Sequence, residues 1–360
     1  MIYLSIDQNN IKLLALTKAI LGQFSASFFQ RKHETELLER GQVKNIDLLA
    51  SAIKEALTLS SPKELRDKDL TLVLPQESFE FRRIDVPFDI SETAILPFVK
   101  DKIRAEIAFD LDIALFDYVL MKQGTESKVL FFAMSQENFS TYNEVCKLLG
   151  LSIRSIIPDT FAYFKLFEKT LKKDKKENIL YVNYEDDNSF GYAYDSLGLL
   201  NPIRYEFNDP IEASVKSQVE LLESPSLKLN RIILSGPKSD TVRQDFFTKD
   251  VGVWTNPLKK IISNFYSEYL KLLVLPPQTT FSYMDYAVTL GAFIFSRENE
   301  NFNLFKMNNK SIKKNVTNNN RSGRSFKFFS MRDILIFIIA FILSFALIYF
   351  FPRILQLTQS

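Results

Sequence analysis

The chain opens on short apolar runs broken by polar turns. MIYLSID, IKLLALT and FSASFFQ read as three strands of a meander, with Asn9-Asn10 as turn material between the first two. IDLLASAIKEAL then carries its apolar residues at helical spacing. LTLVLP and FEFRRIDVP return to strand, and Ser91 is placed to cap a helix. LFDYVLM and KVLFFAMS are two more strands, ENFSTYNEVCKLLG is a helix closed by Gly150, and LSIRSIIP is a strand. This order of strand, strand, helix, strand, strand, helix, strand predicts an inserted α/β subdomain over about residues 70–158.

The pattern then begins again. NILYVNY and GYAYDS are strands, PIEASVKSQVELLE is a helix, RIILS is a strand running into Gly236, and YMDYAVTLGAFIFS is a final helix. Two strand-then-helix halves, the first with an insertion, predict an α/β body over residues 1–300 with the two-lobed topology of an actin-like ATPase fold.

Beyond the body the pattern changes twice. From Asn308 to Ser330 the chain is rich in Asn, Lys and Ser, as expected of a flexible linker within residues 301–332. From Ile334 to Phe351 only Ser344 and Tyr349 interrupt an apolar run, and about 18 helical residues rise about 27 Å, close to the thickness of a bilayer's hydrocarbon core. No polar face remains for a core helix, so residues 333–352 read as one transmembrane helix and 353–360 as a short extracytoplasmic tail. Lys306, Lys310, Lys313, Lys314, Arg321, Arg324, Lys327 and Arg332 precede the span and only Arg353 follows it, which orients the body toward the cytoplasm. MIYLSIDQNN lacks the basic and apolar regions of a signal peptide. The expected location is therefore the cytoplasmic membrane, single-pass.

Charge narrows the partners. The formal charge of +2 combines that run of eight cations with a body of −6, which argues against nucleic acid. The run itself reads as a solvated flank, with anionic membrane lipid as its specific alternative. A single cysteine, Cys146, excludes an internal disulfide framework, and a single histidine, His33, speaks against a histidine-based triad or metal site.

Several segments, taken in order, resemble the PilM family of type IV pilus assembly proteins. LTLVLPQESFEFRRIDVP is similar to that family's strand ending in Leu-Pro and the strand reading into Arg and Pro. SETAILPFVKDKIRAEIAFDLDIALFDYVLM resembles its long helix and Asp-Tyr strand, here Asp117 and Tyr118. CKLLGLSIRSIIPDTFAYFKLF and YAVTLGAFIFS resemble its helix, Gly-Leu turn, strand and helix entry, and its closing Ala-x-x-x-Gly helix. The resemblance covers roughly residues 1–300. It implies an actin-like body at the inner membrane.

In actin-like ATPases two Gly-containing hairpins, each led by an Asp, hold the phosphates, because only a bare backbone approaches phosphate oxygens closely. The first pattern is Asp-x-Gly, hydroxyl residues, and a Lys seven positions after the Asp; this chain has SIDQNNIKLLAL. Asp7 is present, the glycine and hydroxyls are not, and Lys12 arrives two positions early. At the second hairpin, VNYEDDNSFG puts Asn183 where the Asp would stand and Glu185 where the Gly would. A carboxylate there repels a triphosphate. The third loop keeps LSGP, with Gly236 but no run of glycines, and Pro237 removes a donor. Asp7, Lys12, Asn183 and Gly236 thus read as remnants of a nucleotide site, with no catalytic residue, no resident metal and no cofactor expected, Mg-ATP being the disfavoured alternative. Asp7 and Lys12 read more simply as an ordinary pair flanking a turn than as phosphate ligands, and Glu185, Asp186 and Asp187 as a solvated acidic loop, with a cation site as the alternative.

The expected function is a membrane-tethered scaffold in a type IV pilus-like or type II secretion-like assembly, coupling envelope proteins of the PilN and PilO kind to a cytoplasmic motor ATPase or platform protein. An active actin-like ATPase and a filament anchor like the division protein FtsA are the alternatives, and homo-oligomers stay open. One further motif extends the resemblance. In the PilM family, PilN is a single-span protein whose cytoplasmic start carries an Ile-Asn-Leu-Leu-Pro-like motif that docks in a PilM groove. Phe302, Asn303, Leu304 and Phe305 resemble that motif, with Lys306 in the Pro position, and a basic linker and a span follow. The expectation is a PilM-like body joined to a shortened PilN-like head, the motif occupying the groove of its own body or of a neighbouring copy; the alternative is that Phe302 and Leu304 only cap the final helix.

Overall fold

Strands β1 (Ile2–Ile6), β2 (Asn10–Lys18) and β3 (Phe24–Lys32) form the predicted meander, joined antiparallel with Leu4 opposite Leu13 and Leu13 opposite Phe29. All five residues of β1 are buried, because it lies in the middle of a sheet covered on both faces. This computed structural model describes residues 1–305 apart from 20–21, 63–64, 66, 173–174, 224–227, 276–280 and 299–301. The expected span, the basic linker and the tail lie outside the described residues. Among the described residues no helix is long and apolar enough to cross a membrane.

A small hairpin, β4 (Leu38–Glu39) with β5 (Gln42–Val43), leads to helix α1 (Ile46–Thr58) and strand β6 (Asp69–Leu74). The Asn45 side chain caps α1 by accepting from the Leu48 N–H at 3.0 Å. Next come β7 (Glu80–Asp85), α2 (Glu92–Ile103), β8 (Leu115–Gln123), β9 (Glu126–Met134), α3 (Gln136–Leu148), β10 (Ser152–Pro158) and α4 (Asp159–Lys165). Ser91 precedes α2 as expected, but its hydroxyl shares a hydrogen bond with the Thr93 hydroxyl at 3.3 Å and caps no backbone donor. Gly150 takes a φ of +67° just past α3, a conformation that favours glycine.

Here the topology differs from the sequence expectation. β6 and β10 run parallel to β1 in the main six-stranded sheet, ordered β10-β6-β1-β2-β3 with a later strand at its edge. The separate three-stranded sheet is only β7-β9-β8, so the strands peculiar to the insert span residues 80–134, inside the expected 70–158. Buried Ile95, Val99 and Ile103 of α2 form a small core with Val129, Phe131 and Ala133 of β9. Element order along the chain does not reveal this, since a strand looks the same whichever sheet it joins.

The second lobe contains β11 (Asn178–Asn183), β12 (Ser189–Asp195), β13 (Gly198–Leu199), β14 (Tyr205–Phe207), α5 (Ile211–Leu222), β15 (Arg231–Ser235), α6 (Gln244–Val251), β16 (Thr255–Pro257), α7 (Leu258–Phe265) and α8 (Ser267–Lys271). Its sheet is ordered β13-β12-β11-β15-β16, with β14 also on β12. The chain then returns: β17 (Leu273–Val274) pairs parallel with β3 at the edge of the first sheet. The last helix, α9 (Ala287–Glu298), begins four residues later than its apolar pattern predicts, after a turn in which the Asp285 N–H bonds the Ser282 carbonyl at 3.0 Å. α9 crosses α4, and one core runs from β1 through both helices to Tyr181, Tyr192 and Tyr194 of the second sheet.

Candidate functional site

The cleft between the sheets is where the sequence places a nucleotide site, and the hairpin ends of both lobes meet there. The β1–β2 turn holds Asp7. Its Oδ1 accepts from the Gln8 N–H at 2.9 Å and from Arg204 Nη1 at 2.8 Å, and its Oδ2 accepts from Arg204 Nη2 at 2.9 Å. Arg204 reaches in from the segment between β13 and β14, and its guanidinium stacks 3.8 Å from the centre of the Phe190 ring. Burial pushes the Asp7 carboxyl up, but Arg204 and the Gln8 N–H together hold it below its ordinary value.

Lys12, on β2, is buried, and its Nζ donates to Glu185 Oε1 at 2.6 Å. Asn183, the last residue of β11, donates from Nδ2 to the same oxygen at 2.9 Å. The residue standing where a phosphate hairpin has its glycine therefore holds the lysine. Lys32 donates to Asp187 at 2.7 Å, and Lys238 lies 3.7 Å from Asp186 and 3.4 Å from Asp209. Each member of the acidic run thus faces a lysine. Among the described residues no group of His, Cys, Asp and Glu is arranged to hold a metal ion.

Gly236 has a φ of +89°, and a Cβ there would lie 2.4 Å from the Tyr184 carbonyl oxygen. Its glycine character serves the packing of the loop after β15 on the β11–β12 hairpin, where the Lys238 N–H also bonds that carbonyl at 3.2 Å.

Deeper in the cleft, Asp159 at the start of α4 is buried, with Oδ2 accepting from the Tyr192 hydroxyl at 3.1 Å and Oδ1 unpartnered. Burial, reinforced by the carboxylate of Glu77, raises its carboxyl well above the usual range. Neither Arg204 nor Asp159 stands out in the sequence. Arg204 sits beside Glu206 in PIRYEF and Asp159 is the one charge in IIPDTF, and nothing in either run marks a contact that only folding creates.

The predicted partner motif forms a second cluster. Phe302 packs edge-on to Phe161, Phe295 and Phe132, with ring centres 4.7, 5.8 and 6.1 Å apart. Leu304 is fully buried, and Phe305 lies 5.7 Å from Phe139 of α3. Asn303 donates from its backbone N–H to Asp117 of β8 at 2.7 Å and from Nδ2 to the Arg154 carbonyl of β10 at 2.8 Å. Its Oδ1 accepts from the Ile156 N–H at 3.4 Å and the Phe305 N–H at 3.0 Å. The side-chain amide thus fills donor and acceptor positions on the outer edge of β10, and the backbone N–H of the same residue ties that edge to the insert.

Two α/β lobes whose hairpins face one interlobe cleft, with an insertion in the first, make this an actin-like ATPase fold. No family model matches the sequence, and no curated protein matches it. Among solved structures, a PilM-PilN type IV pilus biogenesis complex contains a chain similar in fold, with a TM-score of 0.60 at 16% identity over 81% of this chain and 96% of that one. The cytoplasmic domain of EpsL, an inner membrane component of the type II secretion system of Vibrio cholerae, matches at a TM-score of 0.43, with 10% identity over 84% of this chain and 96% of that one. A Bacteroides thetaiotaomicron protein described as having an actin-like ATPase fold matches at 0.40, with 11% identity over 72% and 94%.

Proposed function

We propose that the chain is a membrane-tethered scaffold of a type IV pilus-like or type II secretion-like assembly, and that its cleft does not bind ATP. The observation that carries the second statement is the Lys12–Glu185 pair. The lysine that would meet phosphate is held at 2.6 Å by a carboxylate of the opposing hairpin. A triphosphate entering there would have to break that pair and approach Asp7, Glu185 and Asp187 against charge repulsion. With no nucleotide chemistry to perform, the body acts through its surfaces.

The likeness to the chain of the PilM-PilN complex supports the choice of assembly, together with the motif resemblance at Phe302, Asn303, Leu304 and Phe305. In this reading those residues are a resident docking motif held against their own body. The covalent link gives them an effective concentration on the order of millimolar, so a weak contact stays filled. The basic run and the apolar segment 334–351 fasten the body to the cytoplasmic face of the inner membrane, where it joins envelope partners to a cytoplasmic motor.

Titration of the detergent-solubilised full chain with Mg-ATP in a calorimeter tests this. No heat of binding and no hydrolysis above background are expected. A micromolar dissociation constant would overturn the scaffold reading in favour of an ATPase, and nucleotide-dependent sedimentation of polymers would favour a filament anchor.

A further inference from the structure

We infer that the interlobe cleft is clasped shut by the chain's own charges, so that the body is braced in one closed arrangement without any ligand. Three neighbouring strands of the first sheet each present a charge to the second lobe. Asp7 follows β1, Lys12 lies on β2 and Lys32 on β3, and their partners are Arg204, Glu185 and Asp187.

The spacing of the two sides matches. In the β2–β3 register Lys32 stands opposite Asn10, two residues from Lys12 along the same ladder. Glu185 and Asp187 are likewise two residues apart in the opposing hairpin. A one-residue slip of either hairpin would separate both pairs at once, so the clasp fixes the position of the lobes as well as their separation.

The links differ in strength. The Arg204 side chain is only 7% exposed and that of Lys12 10%, so solvent ions screen their pairs weakly. Lys32 and Asp187 are exposed, and their pair weakens in salt. A fourth link braces the second lobe from the insert. Arg83 of β7 donates to Asp195 at 2.6 Å and to the Leu199 carbonyl at 2.8 Å, and the Asp195 side chain is 2% exposed. Rocking one lobe over the other would strain this joint as it opened the cleft. In a nucleotide-driven relative of this fold a bound ligand bridges the hairpins, whereas here carboxylates and cations of the chain bridge them directly.

The test uses the full chain in detergent without nucleotide, so its result is independent of the Mg-ATP titration. Spin labels on Cys introduced at Glu34 and Asn208, exposed positions on opposite lobes, report the cleft distance. Backbone hydrogen exchange of Tyr184 and Glu185, whose N–H groups bond the Ser235 carbonyl and the Ser189 hydroxyl, reports local opening. The wild-type chain should give one narrow distance and slow exchange. The double variant Asp7→Asn/Arg204→Met removes the buried pair without leaving a lone charge; it should broaden the distance distribution and speed exchange at least tenfold. Because that variant alters a buried site, the surface pair supplies a second measurement. Lys32→Glu should speed exchange severalfold at low salt, and Lys32→Glu/Asp187→Lys should restore it. A broad wild-type distribution would overturn the clasp, as would wild-type values in both the buried-pair variant and Lys32→Glu.

Discussion

Gly291 of α9 lies so close to the carbonyl oxygen of Ala162 in α4 that a Cβ at position 291 would sit 2.1 Å from it. The close crossing brings both helices into the core shared by the two sheets. Gly291→Ala would gain about 1 kcal/mol of helix propensity and lose more by forcing the helices apart. The expected net loss is about 2 kcal/mol, read as a lower denaturant midpoint in unfolding of the solubilised chain. A midpoint at or above the wild-type value would show that the helices separate freely.

Asp159 gives a pH-dependent outcome. Its folded carboxyl titrates well above the ordinary value of 3.8, so the folded state binds this proton more tightly than the unfolded state does. The resulting penalty is absent below about pH 3.8, grows as pH rises and levels off above the folded value. Asp159→Asn keeps an oxygen for the Tyr192 hydroxyl and should stabilise the protein at pH 7 by about 1 kcal/mol or more, with the gain shrinking toward pH 4. Chemical denaturation at pH 7 and pH 4 measures both values, and a loss at pH 7 contradicts the account.

Glu298 has the opposite sign. Burial pushes its carboxyl up, but hydrogen bonds from Lys165, Tyr269 and Lys169 outweigh that and hold it at about 2, against an ordinary 4.5. Its contribution is fully present above about pH 4.5 and disappears as pH falls toward 2. Glu298→Gln should lower stability at pH 6 and converge with the wild type as the acid limit is approached. Parallel curves for the two proteins from pH 6 to pH 3 would rule this out.

Residues 302–305 make a prediction about exchange. Replacing Asn303 and Leu304 with Ala removes the amide bonds to β10 and the buried aliphatic anchor. The double variant should capture an added fluorescent peptide carrying Phe-Asn-Leu-Phe, and the unmodified chain should bind it at least tenfold more weakly. Equal binding by the two would show that the groove is open already.

The proposed membrane tether is tested by removing residues 333–360. The shortened chain should move to the soluble fraction after cell lysis. If it still sediments with membranes after a high-salt wash, something other than the apolar segment or the basic run holds it there.

Much of the architecture was legible in the chain because it depends on local spacing. The meander MIYLSID, IKLLALT, FSASFFQ and the second-lobe strands NILYVNY and GYAYDS are short apolar runs bounded by polar turns, the helix IDLLASAIKEAL buries Leu49, Ala52, Ile53 and Ala56 at helical spacing, and each element forms where its run predicts. The departures from nucleotide-loop patterns after Asp7 and at Lys12, Asn183 and Glu185 are equally local, since they concern which residue follows which.

Tertiary structure decided the rest. Whether β6 and β10 belong to the insert or to the main sheet depends on partners far away in sequence, and no periodicity records a strand's neighbour. The partners of the cleft charges were equally hidden: Arg204 meets Asp7 across 197 residues and Glu185 meets Lys12 across 173. An ion pair needs opposite charges within about 4 Å, and the sequence supplies the charges while only the fold supplies the distance.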